Sequence, residues 1–225
     1  LADPSTAAGA LLATGIKPSN LYWLFGESPF VRPLTDHAAL ASNAADFEKV
    51  AAFAKAIGAT TIFVLPGVAH PRQKPKDLIA TSAEALDALV PIAQAHGVTL
   101  TIEPHVGGIL TSPEATLALL DAVPGLKLTL DYAHFVAMGY PQAAIDPLAP
   151  HAAHVHLRQA RPGALQSKLA QGTLDFVAMI ETLRAASYDG YLAVEVVHQD
   201  YMNTLFDDVL TETIQLKTLI SPSLP

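Results

Sequence analysis

Cysteine is absent from the 225 residues of this chain, and charged residues make up only 15% of it. Without cysteine the chain cannot form a disulfide scaffold, a thiolate metal site or a thiol nucleophile, so His, Asp and Glu must supply any metal ligands. Basic residues are scarce as well, since 13 Lys and Arg stand against 21 Asp and Glu and give a net charge of −8. Proteins that neutralise phosphates carry the opposite balance, so we expect no nucleic-acid partner.

Long apolar runs, phosphate loops and a leader pattern are also missing. Pro, Gly or charged residues interrupt the apolar runs after about eight positions, so no membrane span is expected. The first residues lack the basic region and apolar core of a secretory signal, which favours a cytoplasmic protein. They also lack an initiator Met, so we expect the sequence to begin inside a longer gene product.

Helical and strand patterns alternate along the chain, separated by glycines, as in βα units around a parallel sheet. Gly58 and Gly97 each follow a helical pattern, and Thr81 with Glu84 has the spacing of a capping box. Helices are predicted at 43–57, 81–96, 174–187 and 203–219, with another that opens at 111–114. Six strands are predicted, at 20–25 (the weakest), 60–65, 98–103, 126–131, 152–157 and 191–196.

This alternation predicts one α/β domain over residues 1–225, because no linker or low-complexity tract divides the chain. Two architectures compete, an open doubly wound sheet and a (β/α)8 barrel. The first usually has a Gly-rich phosphate loop, and neither GxGxxG nor GxxxxGK[ST] occurs. A barrel places its chemistry at the carboxyl ends of several strands.

Period-2 alternation puts a polar residue at the carboxyl end of four strands, on the face opposite the apolar one. A single acid at a strand end most often caps a helix or faces water. Four residues of matching parity favour a shared site, because carboxylates in a confined space repel unless a cation lies among them. One imidazole with three carboxylates suits Mn, Mg, Co, Fe or Zn. The four residues are Glu103, Asp131, His156 and Glu195.

The sequence resembles the sugar phosphate isomerase/epimerase group of xylose isomerase-like TIM barrels, which includes tagatose 3-epimerase-like and hydroxypyruvate isomerase-like enzymes and, more distantly, endonuclease IV. The resemblance covers about residues 58 to 197. It depends on five segments: TIEPH ending at His105, LDYAHF around Asp131 and His134, HVHLR ending at Arg158, QGTLDF from Gln171, and YDGYLAVE ending at Glu195.

This resemblance implies one divalent metal ion, Mn²⁺, Mg²⁺ or Co²⁺ in preference to Zn²⁺ or Fe²⁺. Its ligands would be Glu103, Asp131, His156 and Glu195, and the two glutamates would also be the catalytic acid/base pair. The substrate-binding residues it implies are His105, His134, Arg158 and Arg161. His154 lies two residues deeper along its strand than His156, and a core histidine with satisfied hydrogen bonds is favoured over a ligand there.

The resemblance further implies a metal-dependent isomerase or epimerase of a small sugar, keto-sugar or related polyol, an enzyme of carbohydrate metabolism. A glutamate would remove a proton next to a carbonyl, the metal would stabilise the enediolate, and a glutamate would return the proton. A lyase or dehydratase of the same fold is the nearest alternative, and a non-catalytic barrel subunit or sugar-binding module is another.

The strand count departs from this family, because a barrel has eight strands and the sequence predicts six. Either the natural chain is longer, with the first one or two βα units preceding this sequence, or the protein is a shortened barrel. A shortened barrel leaves two sheet edges open, so we expect a homo-oligomer in that case.

Overall fold

The computed structural model describes residues 3–70, 72–199, 204 and 208–224, which form two compact units. Unit 1 consists of Leu1–Leu110 and Ala115–Leu128. Unit 2 consists of Thr111–Glu114 and Thr129–Pro225. Each unit contains parallel strands and helices, as the alternating pattern predicts.

Unit 1 alternates helices with strands. Its elements are α1 (Pro4–Leu12), β1 (Leu21–Tyr22), α2 (Leu40–Ile57), β2 (Thr61–Val64), α3 (Pro75–Ala95) and β3 (Thr99–Ile102). Two further elements, α4 (Pro113–Ala122) and β4 (Lys127–Asp131), have residues in both units.

The strands of unit 1 are hydrogen-bonded in chain order and in parallel, from β1 through β2 and β3 to the start of β4. Thr61 lies opposite Thr99, and Ile102 lies opposite Leu128. The sheet buries residues on both faces, which is typical of parallel sheets covered by helices. Helix α2 ends at Gly58, whose φ of 75° lies in the left-handed region that favours glycine.

Helix α3 is the one helix in the described part of the chain that is long and apolar enough to cross a membrane by length and composition. Its residues Leu86, Leu89 and Ala93 are buried within unit 1, where α3 contacts α2 and β3. A core helix of a folded domain has the same properties, so α3 is weak support for a membrane span.

Unit 2 continues from the end of β4. Its further elements are α5 (Tyr132–Ala137), α6 (Gln142–Ile145), β5 (Ala152–Leu157), α7 (Phe176–Ala185), β6 (Leu192–Val194) and α8 (Val209–Ile220). The strands again follow chain order, and β5 and β6 are parallel.

The register of β5 and β6 determines which side chains meet at their carboxyl ends. His156 lies opposite Ala193, and Val155 lies opposite Leu192. Because every second side chain of a strand points to the same face, Glu195 extends from the face that His156 occupies. The parity argument from the sequence is therefore confirmed for this pair of strands.

All six predicted strands occur, but two predicted helix starts are wrong, and a third lies outside the described residues. Helix α3 begins at Pro75 rather than at residue 81, because proline is favoured in the first turn, and the Thr81 hydroxyl donates to the carbonyl of Asp77 instead of capping the helix. Helix α2 begins three residues early, at Leu40. Helix α8 is capped by Asp208, and residue 203, its predicted start, lies outside the described residues.

Three helices were not predicted from the sequence. Helix α1 begins after Asp3, whose carboxylate accepts a hydrogen bond from the backbone N–H of Ser5. Helices α5 and α6 are only 6 and 4 residues long, too short for a clear hydrophobic period. Helix α5 directly follows Asp131, and this affects the site described next.

Candidate metal-binding and catalytic site

Unit 2 brings three of the predicted metal ligands together at the carboxyl ends of its strands. Asp131 ends β4, His156 is the penultimate residue of β5, and Glu195 follows β6 directly. One ligand atom from each of the three lies within 4.8 Å of the others. Asp131 and His156 are buried, whereas the Glu195 side chain is 34% exposed. Glu195 is therefore the most exposed of the three, although its Oε2 atom is buried.

Asp131 has a structural role as well as a place in this cluster. It is the N-cap of α5, and its Oδ1 atom accepts a hydrogen bond of 2.8 Å from the backbone N–H of Ala133. This bond satisfies one of the unpaired N–H groups at the helix start and fixes the carboxylate. The other oxygen, Oδ2, is directed at Arg158.

Arg158 links the two carboxylates of the cluster. Its Nε and Nη2 atoms donate to Oδ2 of Asp131 at 2.8 and 2.6 Å, and Nη2 also lies 2.9 Å from Oε2 of Glu195. The same Nη2 atom lies 3.3 Å from Nε2 of His134. Because a guanidinium can only donate, this His134 nitrogen is the acceptor of the pair. Both Arg158 and His134 are buried.

His156 and Glu195 form the second contact in the cluster, with 3.2 Å between His156 Nδ1 and Glu195 Oε2. Two carboxylates and one imidazole are oxygen and nitrogen donors, which suit hard or borderline divalent cations. The chemistry of this donor set fits a divalent metal ion. Positive charge from Arg158 already compensates part of the buried negative charge.

His154 was predicted to be a core histidine with satisfied hydrogen bonds. It is buried, but neither of its ring nitrogens has a hydrogen-bond partner among the described residues, so that prediction is wrong. Its ring lies 5.1 Å from the ring of His156, at 86°. Burial lowers the pKa of His154 to about 4, helped by the charge of His156 and opposed by Glu195. His154 is therefore neutral near pH 7.

Gln166 supports the site although no sequence pattern points to it. Its side-chain amide is hydrogen-bonded to both backbone groups of Val197, two residues after Glu195. The residue lies in a loop outside any periodic element. Only the folded chain places it beside the end of β6.

Unit 1 contains two further predicted site residues, Glu103 and His105, which both belong to the Thr-Ile-Glu-Pro-His segment. Glu103 follows β3, is buried, and donates its backbone N–H to the carbonyl of Val64. Burial raises the pKa of the Tyr22 phenol, and the charge of Glu103 raises it further. His105 is half-buried, with its Nδ1 atom 2.9 Å from the carbonyl of Val106.

The two arginines predicted to bind substrate lie in different surroundings. Arg158 is buried between carboxylates, whereas Arg161 is exposed in the loop after β5 and pairs through its backbone with Ala164. Arg158 is the one that shares contacts with Asp131, His134 and Glu195.

The family model described as xylose isomerase-like TIM barrel matches residues 11–213, which is most of the chain. The chain belongs to this family. The fold class predicted from the sequence, a xylose isomerase-like TIM barrel, is thereby confirmed.

Several solved structures are similar to nearly the whole chain. The xylose isomerase domain protein of Planctomyces limnophilus is 20% identical with a TM-score of 0.72, covering 97% of this chain and 82% of that one. A D-tagatose 3-epimerase-like protein is 17% identical with a TM-score of 0.74, over 97% and 82%. The IolI protein, solved with a zinc atom, is 18% identical with a TM-score of 0.74, over 98% and 82%. At these identities the likeness shows the fold.

One curated relative, an uncharacterized protein of Methanocaldococcus jannaschii, is 24% identical over 144 residues. The match covers 57% of this chain and 49% of the relative, so the chain spans about half the length of the curated protein it matches.

Proposed function

We propose that this protein is a divalent-metal-dependent isomerase or epimerase of a small sugar, keto-sugar or related polyol. The observation that carries the proposal is the cluster of Asp131, His156 and Glu195 at the carboxyl ends of three parallel strands, with Arg158 and His134 against it. Chemistry at these strand ends is the usual arrangement in barrel enzymes. Relatives in fold described as D-tagatose 3-epimerase-like, L-ribulose 3-epimerase and 3-keto-D-glucoside 4-epimerase support the reaction class.

The metal would be held by Asp131, His156 and Glu195, with Glu103 proposed as a fourth ligand. A zinc atom in the IolI structure and magnesium in a structure of a Mycobacterium smegmatis barrel protein support a divalent ion. Mn²⁺, Mg²⁺ and Co²⁺ suit a donor set of several carboxylates and one imidazole. When bound, the ion supplies positive charge that stabilises a developing negative oxygen beside the reacting carbon.

Glu195 and Glu103 are the proposed acid and base. A carboxylate accepts the proton from the carbon beside the substrate carbonyl, and a carboxylic acid returns a proton to the opposite face or to the adjacent carbon. Partial exposure of Glu195 allows a substrate to approach its carboxylate. Return to the opposite face gives an epimer, and return to the adjacent carbon gives an isomer.

Arg158 and His134 are proposed to orient the substrate oxygens. A buried guanidinium carries a fixed positive charge and several N–H donors, so it favours the negative charge that develops on oxygen when the carbon loses its proton. His134 lies beside the same guanidinium nitrogen. His105 and Arg161 remain proposed substrate contacts nearer the solvent.

The test is proton exchange in D₂O with a panel of ketoses and one added ion at a time, followed by proton NMR after chelation. We expect loss of one carbon-bound proton signal together with the appearance of an epimer or isomer. Glu195→Gln should reduce turnover at least about 100-fold while keeping the circular dichroism spectrum of the wild type. Glu181→Gln, an exposed glutamate of α7, is the matched control and should keep full activity.

Three results would count against the proposal. A new alkene or deoxy signal would indicate the lyase or dehydratase. Binding of a sugar without any exchange would favour the non-catalytic module. Near wild-type turnover by Glu195→Gln would remove that residue from the reaction.

A further inference from the structure

The guanidinium of Arg158 contacts carboxylate oxygens of two residues in the proposed metal site. Its Nη2 atom lies 2.6 Å from Oδ2 of Asp131 and 2.9 Å from Oε2 of Glu195. These two oxygens belong to residues of the proposed metal site; the contact with Asp131 is a charge-assisted hydrogen bond, and the contact with Glu195 is an ion pair. The side chains of Arg158 and Asp131 are 5% and 1% exposed, so water screens this attraction little.

The lone pairs of Asp131 are almost fully used by these contacts. A carboxylate offers about four lone-pair sites. Oδ2 accepts both Nε and Nη2 of Arg158, and Oδ1 accepts the backbone N–H of Ala133. A metal ion that binds through Oδ2 therefore has to take over a lone pair that Arg158 occupies.

Distance leads to the same conclusion. A metal ion lies about 2.0–2.2 Å from a carboxylate oxygen. An ion at that distance from both Oδ2 of Asp131 and Oε2 of Glu195 would be close to the guanidinium, because its Nη2 atom lies within 3 Å of each of these oxygens. Two cations held together in a buried site repel strongly.

We propose that Arg158 is an internal cation that competes with the metal ion for Asp131 and Glu195. Metal binding then requires the guanidinium to leave Oδ2 of Asp131. This competition lowers the affinity of the site for the metal ion. Once displaced, the guanidinium can donate to substrate oxygens, so metal loading prepares the substrate contact. This inference rests on the proposed metal-dependent function.

A supporting role for Arg158 would predict the opposite change in metal affinity when Arg158 is removed. If Arg158 only supported the ligands from outside, as hydrogen-bond partners around metal sites usually do, its removal would weaken metal binding. The direction of the change therefore distinguishes a competitor from a supporting residue.

The experiment measures Mn²⁺ affinity by calorimetry with wild-type protein, Arg158→Gln and the control Arg184→Gln. We expect Arg158→Gln to bind Mn²⁺ about tenfold more tightly or better. Arg184→Gln removes the same charge from an exposed position in α7, and its Mn²⁺ affinity should stay within about twofold of the wild type. Weaker or equal binding by Arg158→Gln, with Asp131→Asn abolishing it, would overturn the competition and leave the metal site standing. Absence of Mn²⁺ binding by the wild type and Arg158→Gln alike would instead reject the proposed function.

A measurement on the wild-type protein covers the case in which Arg158→Gln fails to fold. The Nε–H resonance of Arg158, assigned by loss of the signal in Arg158→Lys, is followed by nitrogen-15 NMR during addition of Mg²⁺. We expect the resonance to shift and to saturate at one equivalent, because its hydrogen bond to Asp131 is released. An unmoved resonance at saturating Mg²⁺ would contradict the displacement.

Discussion

The side-chain amide of Gln166 is hydrogen-bonded to the backbone of Val197 in both directions. Its Oε1 atom accepts from the N–H at 2.9 Å, and its Nε2 atom donates to the carbonyl at 2.7 Å. This pair of bonds resembles one rung of a sheet, and it anchors the segment that follows Glu195. The position of a proposed catalytic carboxylate thus depends on a loop residue 29 positions earlier in the sequence.

Replacement of Gln166 by Leu should reduce the free energy of unfolding by about 2 kcal/mol, because a backbone donor and acceptor lose their buried partner. Gln166→Glu keeps an acceptor for the Val197 N–H but lacks the donor for its carbonyl, so a smaller loss is expected. Urea unfolding of the two variants and the wild type measures the difference. Equal stability of wild type and Gln166→Leu would show that water replaces both bonds.

Burial of His154 should make the stability of the protein depend on pH. The pKa of His154 is lowered to about 4 from its ordinary value of 6.5. Between these values the unfolded chain binds a proton that the folded chain does not, so the stabilisation is complete above pH 6.5 and is lost as the pH falls towards 4. From pH 7 to 4.5 we expect a loss of at most about 2–3 kcal/mol.

The His154 contribution is isolated by comparison with His154→Gln in the presence of a chelator. Other titrating groups are common to both proteins, so the difference between their unfolding free energies reports the histidine. We expect this difference to change over the interval from pH 6.5 to 4.5 and to be flat above it. A difference that stays constant throughout would show that His154 titrates normally.

Two glycines should respond to alanine in opposite ways. A Cβ atom at Gly172 would overlap the side-chain amide of Gln159, which is hydrogen-bonded to both backbone groups of Leu174. Gly172→Ala should therefore destabilise the protein by about 1–3 kcal/mol. Gly9 lies within α1 and has open space around it, so Gly9→Ala should stabilise by about 0.5–1 kcal/mol. Thermal unfolding of both variants provides the measurement, and equal shifts of the melting temperature would contradict the steric argument.

Much of the site could be predicted because strands have a fixed period of two. Alternation around Asp131, His156 and Glu195 placed each at a strand end on the polar face, and the register of β5 and β6 agrees for the last two. Left-handed glycines after α2 and α3 marked where these helices end. These signals are local, so they can be read without knowing which segments meet.

Local signals failed where another local signal competed with them or where a long-range contact decides the outcome. Thr81 and Glu84 have capping spacing, but they lie inside α3, which begins at Pro75. His154 was expected to have hydrogen-bond partners, and the fold places it where its ring nitrogens have none among the described residues. The partners of a buried side chain come from distant parts of the chain, and one sequence does not specify them.

The sequence by itself determined the six strands, which of their residues lie on the polar and on the apolar face, and which residues lie at their carboxyl ends. Backbone geometry enforces these patterns. Tertiary structure alone decided that Arg158 lies between Asp131 and Glu195, and that Gln166 holds Val197. The reason is that a long side chain has several rotamers of similar energy, and only packing and charge around it select one.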